Sequence, residues 1–204
     1  MTIYDLKPAF QNLLRPICNA LARAGVTANQ VTMAALLLSI VVGGLFALYP
    51  AAHWAALLIP AWLFLRMALN AIDGMLAREH NMQSALGGVL NELGDVVSDA
   101  ALYLPFALVS GISSVLVISV VILSILTEMA GIVAVQAGAS RRYDGPMGKS
   151  DRAFGFGLLA LLLGIGLQPG GWSTAILAII AILSALTVIN RCRKALAELA
   201  MSDD

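Results

Sequence analysis

The chain has 204 residues, 60% of them apolar and only 12% charged, and its twelve basic residues balance twelve acidic ones. A water-soluble domain of this length is nearer half apolar and a quarter charged. The mean hydropathy of +0.89 therefore excludes a disordered chain, a nucleic-acid binder and a secreted disulfide scaffold, and points to a protein that meets lipid over most of its length.

Near the start, Ile3, Leu6, Phe10, Leu13, Leu14, Ile17 and Leu21 recur every three or four positions, with Lys7, Gln11, Arg15 and Asn19 between them. That spacing predicts an amphipathic helix within residues 1–30, lying along a membrane interface or packed on a helix bundle. The segment lacks the unbroken apolar run of a signal peptide. Six apolar stretches follow: Val31 to Tyr49, Ala51 to Leu69, Gly87 to Val109, Ile112 to Val135, Ala153 to Leu167 and Trp172 to Ile189. About 20 residues of helix cross a bilayer core. The expected fold is an all-α integral membrane protein, with six transmembrane helices in 31–192 after the interfacial helix and 1–204 forming a single membrane domain.

Three connections, at Tyr49-Pro50, Ser110-Gly111 and Gln168-Pro169-Gly170-Gly171, are tight turns. The other two, 78–86 and 138–152, are longer and polar. Lys7, Arg15 and Arg23 precede the first span, Arg66 and Arg78 lie by the second turnaround, Arg141, Arg142, Lys149 and Arg152 by the fourth, and Arg191, Arg193 and Lys194 follow the sixth. The tight turns carry no basic residue. By the positive-inside rule the termini and both polar loops of this multi-pass chain face the cytoplasm. Cys18 and Cys192 then lie in a reducing compartment, which argues against a structural disulfide.

Polar groups inside spans are costly and usually functional. Asn70 and Asp73 share one face of the second span, and Asn91, Asp95 and Asp99 form a ladder at i, i+4 and i+8 along the third. Five oxygen-bearing side chains set against one another suit a hard divalent cation, Mg2+ or Mn2+. The competing reading is that they only hydrogen-bond between helices. Arg141, Lys149 and Arg152, in the loop with Arg142, suit phosphate oxygens of an anionic acceptor or a lipid, or else anchor the loop to anionic headgroups. Glu128, near the middle of the fourth span, has no cationic neighbour in sequence. His53 and His80 read as interfacial side chains.

The stretch Asn70-Ala-Ile-Asp73-Gly74-Met-Leu-Ala77-Arg78, then eight residues, then Gly87-Gly-Val-Leu-Asn91-Glu-Leu-Gly-Asp95 resembles the D-x2-D-G-x2-A-R-x8-G-x3-D-x3-D signature of the CDP-alcohol phosphotransferases. Every fixed position matches with the spacing intact, except that asparagine stands for aspartate at 70 and 91. The resemblance implies transfer of a substituted phosphoryl group from a CDP-alcohol, usually CDP-diacylglycerol, to a small hydroxyl acceptor among membrane lipids, with release of CMP and a homodimeric assembly. It implies that Asp73 is a metal ligand, that Gly74, Ala77 and Arg78 serve the cytidine nucleotide and that Asp95 is the general base. The two asparagines leave two carboxylates where the signature has four, and Asp99 is the spare charge within reach. An alternative follows from the same departure: a catalytically impaired protein that binds lipid or nucleotide.

Overall fold

A computed structural model describes the backbone of residues 3–202 and the side chains of residues 9–201. The side chains of Ile3, Leu6 and Lys7, which belong to the expected amphipathic pattern and charge bias, lie outside the described residues. Among the described residues every regular element is helical: α1 (Ile3–Arg23), α2 (Ala28–Leu48), α3 (His53–Glu79), α4 (Ala85–Tyr103), a short 3-10 helix (Leu104–Leu108), α5 (Ser114–Gln136), α6 (Lys149–Gly164) and α7 (Gly171–Ser202). The six helices after α1 fall on the six expected stretches, with shifted ends. The second, α3, runs on to Glu79, and α7 continues well past Ile189, because polar helix projecting from an apolar slab keeps its backbone bonds while losing the hydropathy signal.

Local chemistry sets the helix starts. Thr27 and Gln30 form a capping box on α2, the Thr27 hydroxyl accepting from Gln30 N at 3.3 Å and Gln30 Oε1 from Thr27 N at 2.9 Å. Ser84 caps α4 by accepting from Gly87 N at 2.9 Å, and Asp151 Oδ2 accepts from Gly148 N at 2.8 Å at the start of α6.

Helix α2 packs against α3 and α4, α3 against α6, and α5 against α7. Gly43 lets α2 approach α4 closely, since a Cβ there would run into the Ala101 carbonyl. The main core gathers Phe46, Ile59, Trp62, Tyr103, Phe106, Phe156 and Leu177, with the Tyr103 and Phe156 rings stacked at 4.0 Å. Gly131 and Ala134 of α5 are buried, the first against the Arg141–Arg142 segment and the second with Ala139 and Ala195 of α7, so these small residues serve packing within the chain.

Four helices, α2, α3, α5 and α7, are long and apolar enough to cross a membrane. Helix α4 carries Glu92, Asp95 and Asp99, and α6 has 16 residues. Leu37, Leu38 and Val41 of α2, Ile118 and Ile122 of α5, and Ile179, Ile182 and Leu186 of α7 all point outward. A surface of that kind is stable against lipid, not water. The chain is a membrane protein.

Helix α1 divides its apolar stripe. Leu14 and Cys18 are buried against Ile72, Met75 and Leu76 of α3, and burial pushes the Cys18 thiol up from its ordinary value. Leu13 and Ile17 are left 72% and 52% exposed. Arg15 pairs with Glu79 at 3.3 Å, which brings α1 to the end of α3 that holds the signature residues.

Candidate active site at the α3, α4 and α6 junction

Asn70, Asp73, Gly74, Ala77 and Arg78 all fall in the second half of α3, and Asn91, Asp95 and Asp99 along α4. The structure brings Asn70 and Asp95 together, Asn70 Nδ2 donating to Asp95 Oδ1 at 3.2 Å. Asp73 is buried and accepts from the Thr32 hydroxyl of α2 at 2.8 Å. Asn91 sits exposed on α4 one turn before Asp95. Gly74 is covered by its own helix neighbour, since a Cβ there would lie 3.0 Å from Arg78 Nη2, and Gly87 leaves room for Asn29, whose Oδ1 would be 2.7 Å from a Cβ. Ala77 is partly buried against the α1 contact, and Arg78 is exposed.

Asp95 is surrounded by cations. Its Oδ1 faces Arg66 Nη2 at 3.1 Å, and its Oδ2 is in contact with Lys149 Nζ at the start of α6. Asp99, buried like Asp73, has Arg66 Nη1 at 2.6 Å from Oδ1 and Arg152 Nη2 at 3.6 Å from Oδ2. Its two oxygens face guanidinium groups.

Arg66 corrects the expectation that it lies by a turnaround. It is 3% exposed, one helical turn before Asn70 on the same face of α3, and ties that helix to two carboxylates of α4. Arg191, expected only as a charge following the last span, is 2% exposed and donates to the Thr127 and Asp144 carbonyls. Thr32 was not anticipated either. A seven-residue step from Arg66 to Asp73 was the sequence signal available for Arg66; Thr32 and Arg191 had none.

Of the three cations expected at a substrate phosphate, Lys149 lines an open groove while paired with Asp95, and Arg141 and Arg152 are held by other carboxylates. Arg141 Nη2 lies 2.7 Å from Glu92 Oε2 and 3.6 Å from Glu128 Oε2, and Arg152 Nη2 donates to Glu128 Oε1 at 2.9 Å.

The groove, of about 570 Å³, runs between α3 and α6, within the range of small-molecule sites. Arg66, Asn70, Lys149 and Ser150 stand at one end; Leu63, Phe64, Met67, Phe154, Leu158 and Leu161 form apolar walls running away from them. The helices are antiparallel here, since Gly157 faces Pro60 and Leu63, so the groove passes from charged to greasy along a single axis.

The candidate donors where α3 faces α4 are all oxygen: the carboxylates of Asp73 and Asp95, and the amide oxygen of Asn70, whose Nδ2 is turned to Asp95. That chemistry fits a hard divalent cation. Among the described residues no three acidic, histidine or cysteine side chains gather into a metal site; the oxygen set here is two carboxylates and an amide.

The family model for CDP-alcohol phosphatidyltransferases matches residues 25–190. The chain is 50% identical over 196 residues, 96% of its length and 97% of the relative's, to inner membrane protein YnbA of Escherichia coli strain K12. Its fold is similar to that of Mycobacterium tuberculosis phosphatidylinositol phosphate synthase. The crystal structure with CDP-DAG bound gives a TM-score of 0.74 at 20% identity, covering 88% of this chain and 92% of the other. The structure in complex with manganese and citrate gives 0.75 at 19% identity, covering 88% and 87%.

Proposed function

We propose, on the premise that the chain belongs to the CDP-alcohol phosphatidyltransferase family and is a phosphatidyltransferase of phospholipid synthesis, that its donor is CDP-diacylglycerol and that the phosphatidyl group passes to the hydroxyl of a small alcohol with release of CMP. The groove carries this reading. Its apolar walls suit acyl chains, and Arg66 and Lys149 at its head suit the oxygens of a diphosphate. A CDP-alcohol without acyl chains would leave those walls bare. The CDP-DAG bound by a protein of similar fold supports the choice.

Asn70, Asp73 and Asp95, with Asn91 one turn away, would hold one Mg2+ or Mn2+, which when bound draws negative charge off the diphosphate. Manganese in the mycobacterial structure supports this assignment. Asp99 stays outside the ligand set because it lies one turn beyond Asp95 with a guanidinium on each oxygen, whereas Asp95 meets Asn70 of the set. Gly74, Ala77 and Arg78 serve the nucleotide. Lys149 and Arg66 orient Asp95, whose Oδ2 takes the proton of the incoming hydroxyl. The acceptor oxygen bonds to the phosphatidyl phosphorus while the bond from that phosphorus to the bridging oxygen breaks, and CMP leaves with the electron pair.

Six spanning helices, α1 along the interface and a homodimer in a bacterial inner membrane complete the reading, with the active site on the cytoplasmic side where the basic residues collect. The test is CMP release by purified protein from CDP-diacylglycerol with Mg2+ or Mn2+ and a panel of alcohols. Release that depends on an added alcohol and is lost in Asp95→Asn is expected. CMP release by the native protein that Asp95→Asn leaves unchanged overturns the assignment.

A further inference from the structure

Beyond Asp95, on the side away from the groove, the charges form one chain of contacts. Arg66 joins Asp95 to Asp99, Asp99 meets Arg152, and Arg152 meets Glu128. Three guanidinium groups converge on Glu128. Arg152 Nη2 lies 2.9 Å from Oε1, and Arg191 Nη1 and Arg141 Nη2 lie 3.5 and 3.6 Å from Oε2. Two of those arginines, 152 and 191, are 0% and 2% exposed. They come from α6 and α7, and Arg141 from the loop before α6, whereas the carboxylate comes from α5.

Buried guanidinium groups at separate points of a chain meet in this way only around an anion, because their mutual repulsion in a low dielectric is otherwise unopposed. Here the anion belongs to the protein. The space beside Glu128 and Arg152 is about 10 Å³, about one water and far less than a phosphate needs. Arg141 is further neutralised by Glu92 at 2.7 Å. A phosphate monoester adds about 1.5 to 2 negative charges at neutral pH, and on entering this nest it would meet the Glu128 carboxylate at contact distance.

Resting on the donor and base assigned above, we propose that Glu128 is a specificity-determining residue. Its carboxylate takes the place on Arg141, Arg152 and Arg191 that an acceptor phosphate would take, and the acceptor alcohol of this enzyme therefore carries no phosphate.

Two measurements test this, the first without turnover. Inorganic phosphate is titrated into the native protein and into Glu128→Ala, which removes the carboxylate and vacates the space it fills, and binding is read by calorimetry and by the shift in unfolding temperature. Glu128→Ala should bind phosphate at least about tenfold more tightly than the native protein and recover in phosphate whatever thermal stability it loses. Glu128→Asp, which keeps the charge, should bind phosphate no more tightly than the native protein. Should the alanine variant prove too unstable to purify, phosphate in the purification should restore it and chloride at equal ionic strength should not. Equal phosphate affinity in the native and alanine proteins, tighter binding by Glu128→Asp, or equal recovery in phosphate and chloride overturns the proposal. The second measurement compares glycerol with glycerol 3-phosphate, and inositol with inositol phosphate, as acceptors for CMP release. The native protein is expected to use the unphosphorylated member of at least one pair, and Glu128→Ala to shift the ratio by about tenfold or more toward the phosphate. Native preference for a phosphorylated acceptor sinks the Glu128 assignment and leaves the donor reading intact. Absence of CMP release with any acceptor sinks the donor reading, while the phosphate titration still decides the role of Glu128.

Discussion

Arg66 Nη1 lies 2.6 Å from Asp99 Oδ1, an ion pair between two adjacent helices in which both side chains are buried. Paired charges so placed have already lost their hydration, and removing one partner strands the other. Asp99→Asn should therefore lower stability by about 3–5 kcal/mol, read by chemical unfolding in detergent. Its affinity for Mn2+ should stay close to native. A large loss of metal affinity at unchanged stability would return Asp99 to the ligand set.

Asp73 and Asp95 are expected to behave in the opposite way. Asp95→Asn keeps the size of the side chain but removes the proton acceptor and one charge from the metal site, so kcat should fall by about 10²- to 10⁴-fold and Mn2+ binding should weaken. Asp73→Asn should weaken Mn2+ binding and CMP release together. Stopped assays on protein shown by circular dichroism to be folded decide both.

Asn70 and Asn91 give the sequence a consequence that its signature does not share. Replacing both by aspartate adds two negative charges beside Asp73 and Asp95, and attraction to a divalent cation at a few ångströms is on the order of several kcal/mol before desolvation is subtracted. Isothermal titration should show Mn2+ binding tightened by about tenfold or more in Asn70→Asp/Asn91→Asp. Unchanged affinity would mean that these two positions face away from the ion.

The loop after α5 is fastened to α7 by charge. Lys194 Nζ donates to Asp144 Oδ1 at 2.6 Å, and this bond, with the charges of Lys194 and Arg142, holds the Asp144 carboxyl below the usual carboxylate range. A folded-state value below the unfolded one means that the stabilisation is present above the ordinary value of about 3.9 and fades as pH falls through the lower folded value. Carbon NMR of Asp144 should show the depressed midpoint, and Lys194→Ala should move it up toward the ordinary value. An unmoved midpoint would assign the shift to other groups.

Orientation is open to a reporter test. A fusion after Asp204 should read cytoplasmic and an insertion at Gly170 should not, because the Gln168–Gly171 turn lies beside Gly111 and away from every basic loop. The reverse pattern would move the active site to the other face.

How far the sequence carried depended on the range of each interaction. Helices α2 to α7 were legible because hydropathy is a local property, and the signature because its residues occupy two adjacent helices in fixed register. Pairings were not. Thr32 meets Asp73 across 41 positions and Arg66 meets Asp99 across 33, and no local pattern specifies which buried arginine answers which acid. Glu128 shows this most plainly. In sequence it stands among apolar residues, and in the fold it is the point on which three arginines close.

The groove between α3 and α6 is walled by side chains that themselves face outward, among them Phe64 at 66% and Phe154 at 74% exposed. Walls of that kind suit lipid. On the donor reading proposed above, CDP-diacylglycerol would enter the groove, and the lipid product leave it, by lateral diffusion without passing through water. Turnover by such an enzyme follows the mole fraction of donor among its neighbouring lipids, not its amount per volume of solution. Diluting the donor with inert lipid at constant bulk concentration slows the reaction, and the composition of the surrounding leaflet becomes a control on its rate.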